Sequence, residues 1–95
     1  MRISEDEKKI LMRAVMAQDP EARVWLFGSR VDDEKRGGDI DIAVLSSHIG
    51  RAERMRIRRS IADALGEQKI DVVVSRDGED AFFRLALEHA VPLDE

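Results

Sequence analysis

Three short apolar runs constrain this chain more than anything else in it: residues 24–27, 39–45 and 70–74. Each is short, rich in β-branched or aromatic residues and bounded by turn-forming residues, so each reads as a strand. Side chains alternate on a strand. Along 39–45, Ile40, Ile42 and Val44 therefore face one way, while Asp39, Asp41 and Ala43 face the other. Along 70–74, Asp71 and Val73 oppose Ile70, Val72 and Val74.

Helical spacing fills the intervals. Ser4 with Glu7 three residues later is a capping-box start for a helix running from 5 to about 18. Ile10, Leu11, Ala14 and Val15 share one face of it, and Asp19-Pro20 ends it. Residues 51–65 turn Ile57, Ile61, Ala64 and Leu65 toward the sheet, with Gly66 placed just past the helix end. Asp77 or Asp80 can cap a last helix bearing Phe82, Phe83, Leu85, Ala86 and Leu87, which stops before Pro92. The order α-β-β-α-β-α predicts one α/β (α+β) domain over 1–95 with a small mixed three-stranded sheet. The first two strands are joined by a loop and pair antiparallel. The second and third are joined by a helix and run parallel in a right-handed crossover.

Composition narrows the class. Ninety-five residues build one core. Charged residues make up 38% of the chain and the net charge is −4, so direct nucleic-acid binding would need a local basic patch and is not expected. The absence of cysteine removes disulfides and zinc–thiolate sites and fits a cytoplasmic location. The acidic start at 3–7 does not resemble a signal peptide, and no apolar run approaches the roughly 20 residues that cross a bilayer. No membrane partner is expected.

The aspartates carry the chemistry. Asp39 and Asp41 leave the same strand face roughly 7 Å apart, and like charges so placed repel unless a cation lies between them. Carboxylate oxygens suit Mg²⁺, whose other positions water and substrate phosphates fill. An acidic edge strand kept soluble by charge is the plainer alternative. Asp71 interrupts an apolar strand and can join the other two if the strands are neighbours; a pairing with one of the arginines is its structural alternative. Gly28-Ser29 directly follows the first strand, where glycine admits a phosphate close to the backbone and Ser29 can donate to its oxygens, or simply makes a turn. Arg30, with Lys35 or Arg36 further along, could add positive charge, or belong to a solvated loop. A phosphate cradle beside three carboxylates suits Mg²⁺-dependent transfer of a nucleotidyl group.

Arg51, Arg54, Arg56, Arg58 and Arg59 make 51–65 the basic segment of the chain, read first as a solvated helix face and otherwise as a surface for an acidic protein or RNA. His48 and His89 lack metal-ligand spacing and read as surface residues, and Trp25 and the phenylalanines read as core.

Gly28-Ser29, then Asp39-Ile40-Asp41-Ile42, then Ile70-Asp71-Val72-Val73, resembles the minimal nucleotidyltransferases of the DNA polymerase β superfamily. The resemblance spans nearly the whole chain. It implies that Asp39, Asp41 and Asp71 are the catalytic Mg²⁺ ligands of a two-metal site, that Asp71 lies near the acceptor hydroxyl, and that Gly28, Ser29 and Arg30 hold the triphosphate of ATP. Many relatives follow the Gly-Ser with Ala-Arg-Gly; here Val31-Asp32-Asp33 stands instead. Small members of the family are often antitoxins encoded beside a HEPN-type ribonuclease toxin. The resemblance implies transfer of AMP from ATP to a tyrosine of that partner within a hetero-oligomer, or, as the alternative, a non-catalytic antitoxin that neutralises by occlusion. The chain contains no tyrosine, so a tyrosyl acceptor would come from another protein.

Overall fold

A computed structural model describes residues 3–31, 39–66 and 69–94, with the backbone alone for Ser29. The elements are α1 (Glu5–Met16), β1 (Arg23–Phe27), a 3-10 turn (Gly28–Arg30), β2 (Ile40–Leu45), α2 (Arg51–Leu65), β3 (Ile70–Ser75), α3 (Ala81–Leu87) and β4 (Val91–Pro92). The predicted order holds with one addition. The mixed sheet has four strands, in the order β3-β2-β1-β4, rather than three. β2 runs antiparallel to β1 and parallel to β3, as the loop and helix connections require. The extra strand is two residues long and half proline, so no alternating pattern announces it. Pro92 lacks an N–H, which an edge position tolerates. β4 pairs antiparallel with β1, and the Leu93 N–H donates to the Val24 carbonyl at 2.8 Å.

α1 and α2 lie together on one side of the sheet. Leu11 and Val15 of α1, Ile57 and Ile61 of α2, and Val24, Leu26, Ile40, Ile42 and Val44 from the strands are all fully buried. The faces drawn from alternation are therefore the ones observed. The other sheet face carries Trp25, Ala43 and Asp41, with α3 against part of it. Phe83 of α3 is buried and meets Trp25 edge-on at 6.0 Å between ring centroids. Phe82, one residue earlier, is 62% exposed, so the phenylalanines of α3 are not all core.

The helix ends follow local rules with small departures. Ser4 and Glu7 form the expected reciprocal cap, at 3.1 and 3.0 Å. α1 stops at Met16, short of Gln18. Asp80 occupies the position before α3 but makes no side-chain cap, and Asp77 instead accepts from the Glu79 N–H at 2.9 Å, closing a turn.

One buried polar junction fixes the connection from β2 to α2. The Ser46 hydroxyl donates to Asp19 at 2.5 Å and accepts from the N–H groups of His48 and Ile49 at 3.0 and 3.1 Å. Asp19 also accepts from the Glu21 N–H at 3.0 Å. These bonds favour the carboxylate, first the one from Ser46, and hold the Asp19 acid below its ordinary value. Ser46→Ala leaves the buried Asp19 oxygen and two backbone donors without that partner. It should lower unfolding free energy by about 1–3 kcal/mol in denaturant titration at neutral pH. Because the folded acid is the stronger one, the Ser46–Asp19 contribution is present above the unfolded acid's range and is lost as pH falls through the folded one. The gap between wild type and variant should therefore narrow in acid; an equal gap at every pH would contradict the assignment.

Candidate functional site

The register of the sheet places the acidic residues. Phe27 of β1 lies opposite Asp41 of β2, and Asp41 lies opposite Asp71 of β3. Partners in a ladder project to the same face, so the Asp41 and Asp71 carboxylates stand side by side. The next row, Trp25, Ala43 and Val73, runs toward α3. Phe27, Asp41, Asp71, Val73 and Phe82 thus border one cleft of about 310 Å³. Two arginines of α2, Arg54 and Arg58, line the same cleft where it turns over the edge of β3.

Gly28 completes the wall. Its φ of +78° lies in the left-handed region, and a Cβ there would overlap the Asp41 carboxylate. Glycine is therefore needed twice, for backbone conformation and for close approach. The turn it opens is tied to the rest of the fold through Arg30, whose guanidinium lies 3.5 Å from Glu7 and is largely buried. Glu7 thus serves both the α1 cap and this contact. The Ser4 N–H, and then Arg30, hold its acid below the ordinary value. The Ser29 side chain, Lys35 and Arg36 lie outside the described residues.

Electrostatics mark Asp41. Burial, then the neighbouring Asp71 carboxylate, then Asp39 farther off, push its acid from 3.8 up to about 6, with Lys69 pulling the other way. Asp39 is exposed and precedes the first residue of β2, so it couples to the pair by charge without joining the ladder. Among the described residues no three acidic or histidine side chains are arranged to hold one ion. The three expected ligands therefore stand as a close pair with a neighbour. The donors nevertheless fit a hard cation. They are all carboxylate oxygens, and the repulsion that adds to burial in raising the Asp41 acid is what a bound dication would relieve.

The arginines of α2 are where the sequence reading falls short. Arg51, Arg54 and Arg58 follow i, i+3, i+7 spacing, which puts them on one helix stripe. Combined with the β2-α2-β3 crossover, that spacing could have pointed to the strand bearing Asp71.

The polymerase β nucleotidyltransferase family model matches residues 8–93. The chain belongs to this family. No curated protein matches it. Membership makes the protein a nucleotidyltransferase with the fold expected of one, in a family that typically uses a nucleoside triphosphate and Mg²⁺. No helix among the described residues is long and apolar enough to cross a membrane.

Two outcomes test the site. Gly28→Ala should destabilise the protein by about 1–3 kcal/mol, from left-handed strain and displacement of Asp41. Thermal unfolding reads the loss, and an unchanged midpoint would mean that the turn does not press on Asp41. The second concerns charge. A raised folded acid costs stability as pH climbs between 3.8 and about 6, so Asp41→Asn should stabilise the chelator-treated protein at pH 7.5 and not at pH 3.5. After solvent screening the gain should be about 1 kcal/mol, and Mg²⁺ added to wild type should narrow it. An Asn variant equally stabilised at both pH values would contradict the account of Asp41.

Proposed function

We propose that this nucleotidyltransferase is a Mg²⁺-dependent protein adenylyltransferase that takes ATP as donor. The observation that carries the reading is the Asp41–Asp71 pair, side by side across a parallel ladder and walled by a glycine that no other residue could replace without displacing Asp41. Asp39, Asp41 and Asp71 would hold the metal. Bound Mg²⁺ supplies charge neutralisation for the triphosphate and acidifies the acceptor hydroxyl.

The chain's own part is positioning and proton transfer. The backbone of Gly28 and Ser29 leaves β1 beside Asp41 and offers N–H donors to phosphate oxygens. The acceptor hydroxyl oxygen forms a bond to the α-phosphorus of ATP while the bond from that phosphorus to the bridging oxygen breaks. Pyrophosphate leaves. The hydroxyl proton passes to the Asp71 carboxylate, the more exposed member of the pair and the one open to an incoming acceptor. Arg30 could serve the triphosphate only by sharing the guanidinium that Glu7 engages.

The acceptor is a second protein. The chain has no tyrosine of its own, and the exposed Phe82 on the cleft wall offers apolar surface for a partner to cover. We assign the partner as a HEPN-type ribonuclease toxin, modified on tyrosine and neutralised as a result, with this chain as its antitoxin.

Asp39→Asn combined with Asp41→Asn removes two negative charges and almost no volume, so folding and complex formation should survive while transfer falls to background. Intact mass of a HEPN toxin incubated with ATP, Mg²⁺ and either protein reads the difference. AMP additions only with wild type support the enzyme. Equal neutralisation by both proteins with no mass change would replace it by an antitoxin acting through occlusion.

A further inference from the structure

β3 is the terminal strand of the sheet. The Ile40 N–H donates to the Lys69 carbonyl and the Ser46 N–H to the Ser75 carbonyl, both at 2.9 Å. Backbone groups alternate sides along a strand, so the odd-numbered residues of β3 turn toward β2. The N–H and C=O groups of Ile70, Val72 and Val74 then point outward. Among the described residues no strand pairs with that edge.

Three grooves meet along the seam between this edge and α2. Arg58, Arg59, Met55 and Ile70 line the first. The carboxylate cleft follows, sharing Arg58 and Ile70 and adding Arg54. The third shares Arg54 and continues to Arg51, Val74 and Arg76. The shared residues make one channel along the strand, about 20 Å long for six extended residues. Among the described residues none of these five arginines takes part in an ion pair. A basic, apolar-floored channel therefore crosses a protein whose net charge is −4.

We propose that this channel docks an extended acidic segment of a partner protein as an added strand on β3, passing beside Asp71. The chemistry of the edge selects the occupant. A row of alternating N–H and C=O groups is satisfied by another peptide backbone and not by a sugar-phosphate chain. Every second side chain of the added strand would turn toward the α2 arginines, which calls for Asp or Glu at alternate positions. The remaining side chains would lie on the face of Phe82, 62% exposed, and there apolar residues fit. A second copy of this chain is disfavoured, because twofold pairing of two β3 edges brings two arginine rows together. That the docked strand presents the acceptor hydroxyl rests on the transferase reading; the docking itself does not.

The probe is a fluorescent nonapeptide alternating glutamate and valine, titrated with the full chain and read by anisotropy. Arg51→Glu with Arg76→Glu reverses charge at the end of the channel away from Asp41 and Asp71. It should weaken binding by about tenfold or more, with recovery when both positions are lysine. Two further probes carry N-methyl groups on either the glutamate or the valine amides. Only one set faces β3, so one probe should lose about tenfold and the other little. Equal binding of the two methylated probes would overturn strand addition, and an oligouridylate of equal charge that binds more tightly than the peptide would reassign the channel to RNA. Mg²⁺-ATP binding, followed by thermal shift in the same variants, should be unchanged. Failure of docking with nucleotide binding intact overturns this inference alone, whereas peptide docking by a protein that adds no AMP to a HEPN toxin in the intact-mass assay overturns the protein-adenylyltransferase reading alone.

Discussion

The parallel pairing of β2 with β3 is the interaction on which the rest depends. It brings Asp41 against Asp71, residues far apart in the chain, and it does so on a face where α1 and α2 do not pack. The pairing is held from both ends. The α2 crossover anchors it through Ile57 and Ile61, and the Ser46–Asp19 junction fixes where α2 begins. A one-residue slip of β3 would turn Asp71 into the apolar core and Ile70 into the cleft, so burial of Ile70 and Val72 enforces the same register that pairs the acids. Stability and chemistry are thus specified by one alternation.

Much of this was legible in the sequence. The strands that carry Asp41 and Asp71 announce themselves because their inward faces are β-branched at every second position, and the loop-then-helix connections fix their directions. The capping box at Ser4 and Glu7 was readable because it is a local bargain between two residues. What escaped depends on distance in sequence. β4 is defined by its partner, β1, and by nothing within Val91-Pro92 itself. Phe82 and Phe83 are neighbours with opposite fates, decided by which one meets Trp25. Asp39 reads as a strand residue by alternation, yet β2 begins after it, leaving the carboxylate exposed and coupled only by charge. Arg30 reads as a phosphate ligand from its neighbours, while the Glu7 carboxylate 3.5 Å from it comes from another element.

The arrangement of charge follows from the same topology. The helical crossover lays α2 beside the outer edge of β3, so the arginine stripe of the helix and the acidic pair of the sheet come to opposite sides of one strand. The two signs do not neutralise each other: burial first, and then the neighbouring Asp71 carboxylate, still raise the Asp41 acid to about 6. Separation by a strand keeps a cation-seeking face and an anion-seeking edge in one small protein. On the function and docking proposed above, donor nucleotide and an acidic partner segment would approach from different directions and meet at Asp71.

Calorimetric binding of a non-hydrolysable ATP analogue, in Mg²⁺ and in chelator, bears most directly on the claim that the Asp41–Asp71 pair is a cation-dependent nucleotide site. Wild type should bind in Mg²⁺ and lose at least about tenfold in affinity in chelator, while Asp71→Asn should bind weakly in both. The same affinity with and without the metal, or full metal-dependent binding by Asp71→Asn, would contradict the account.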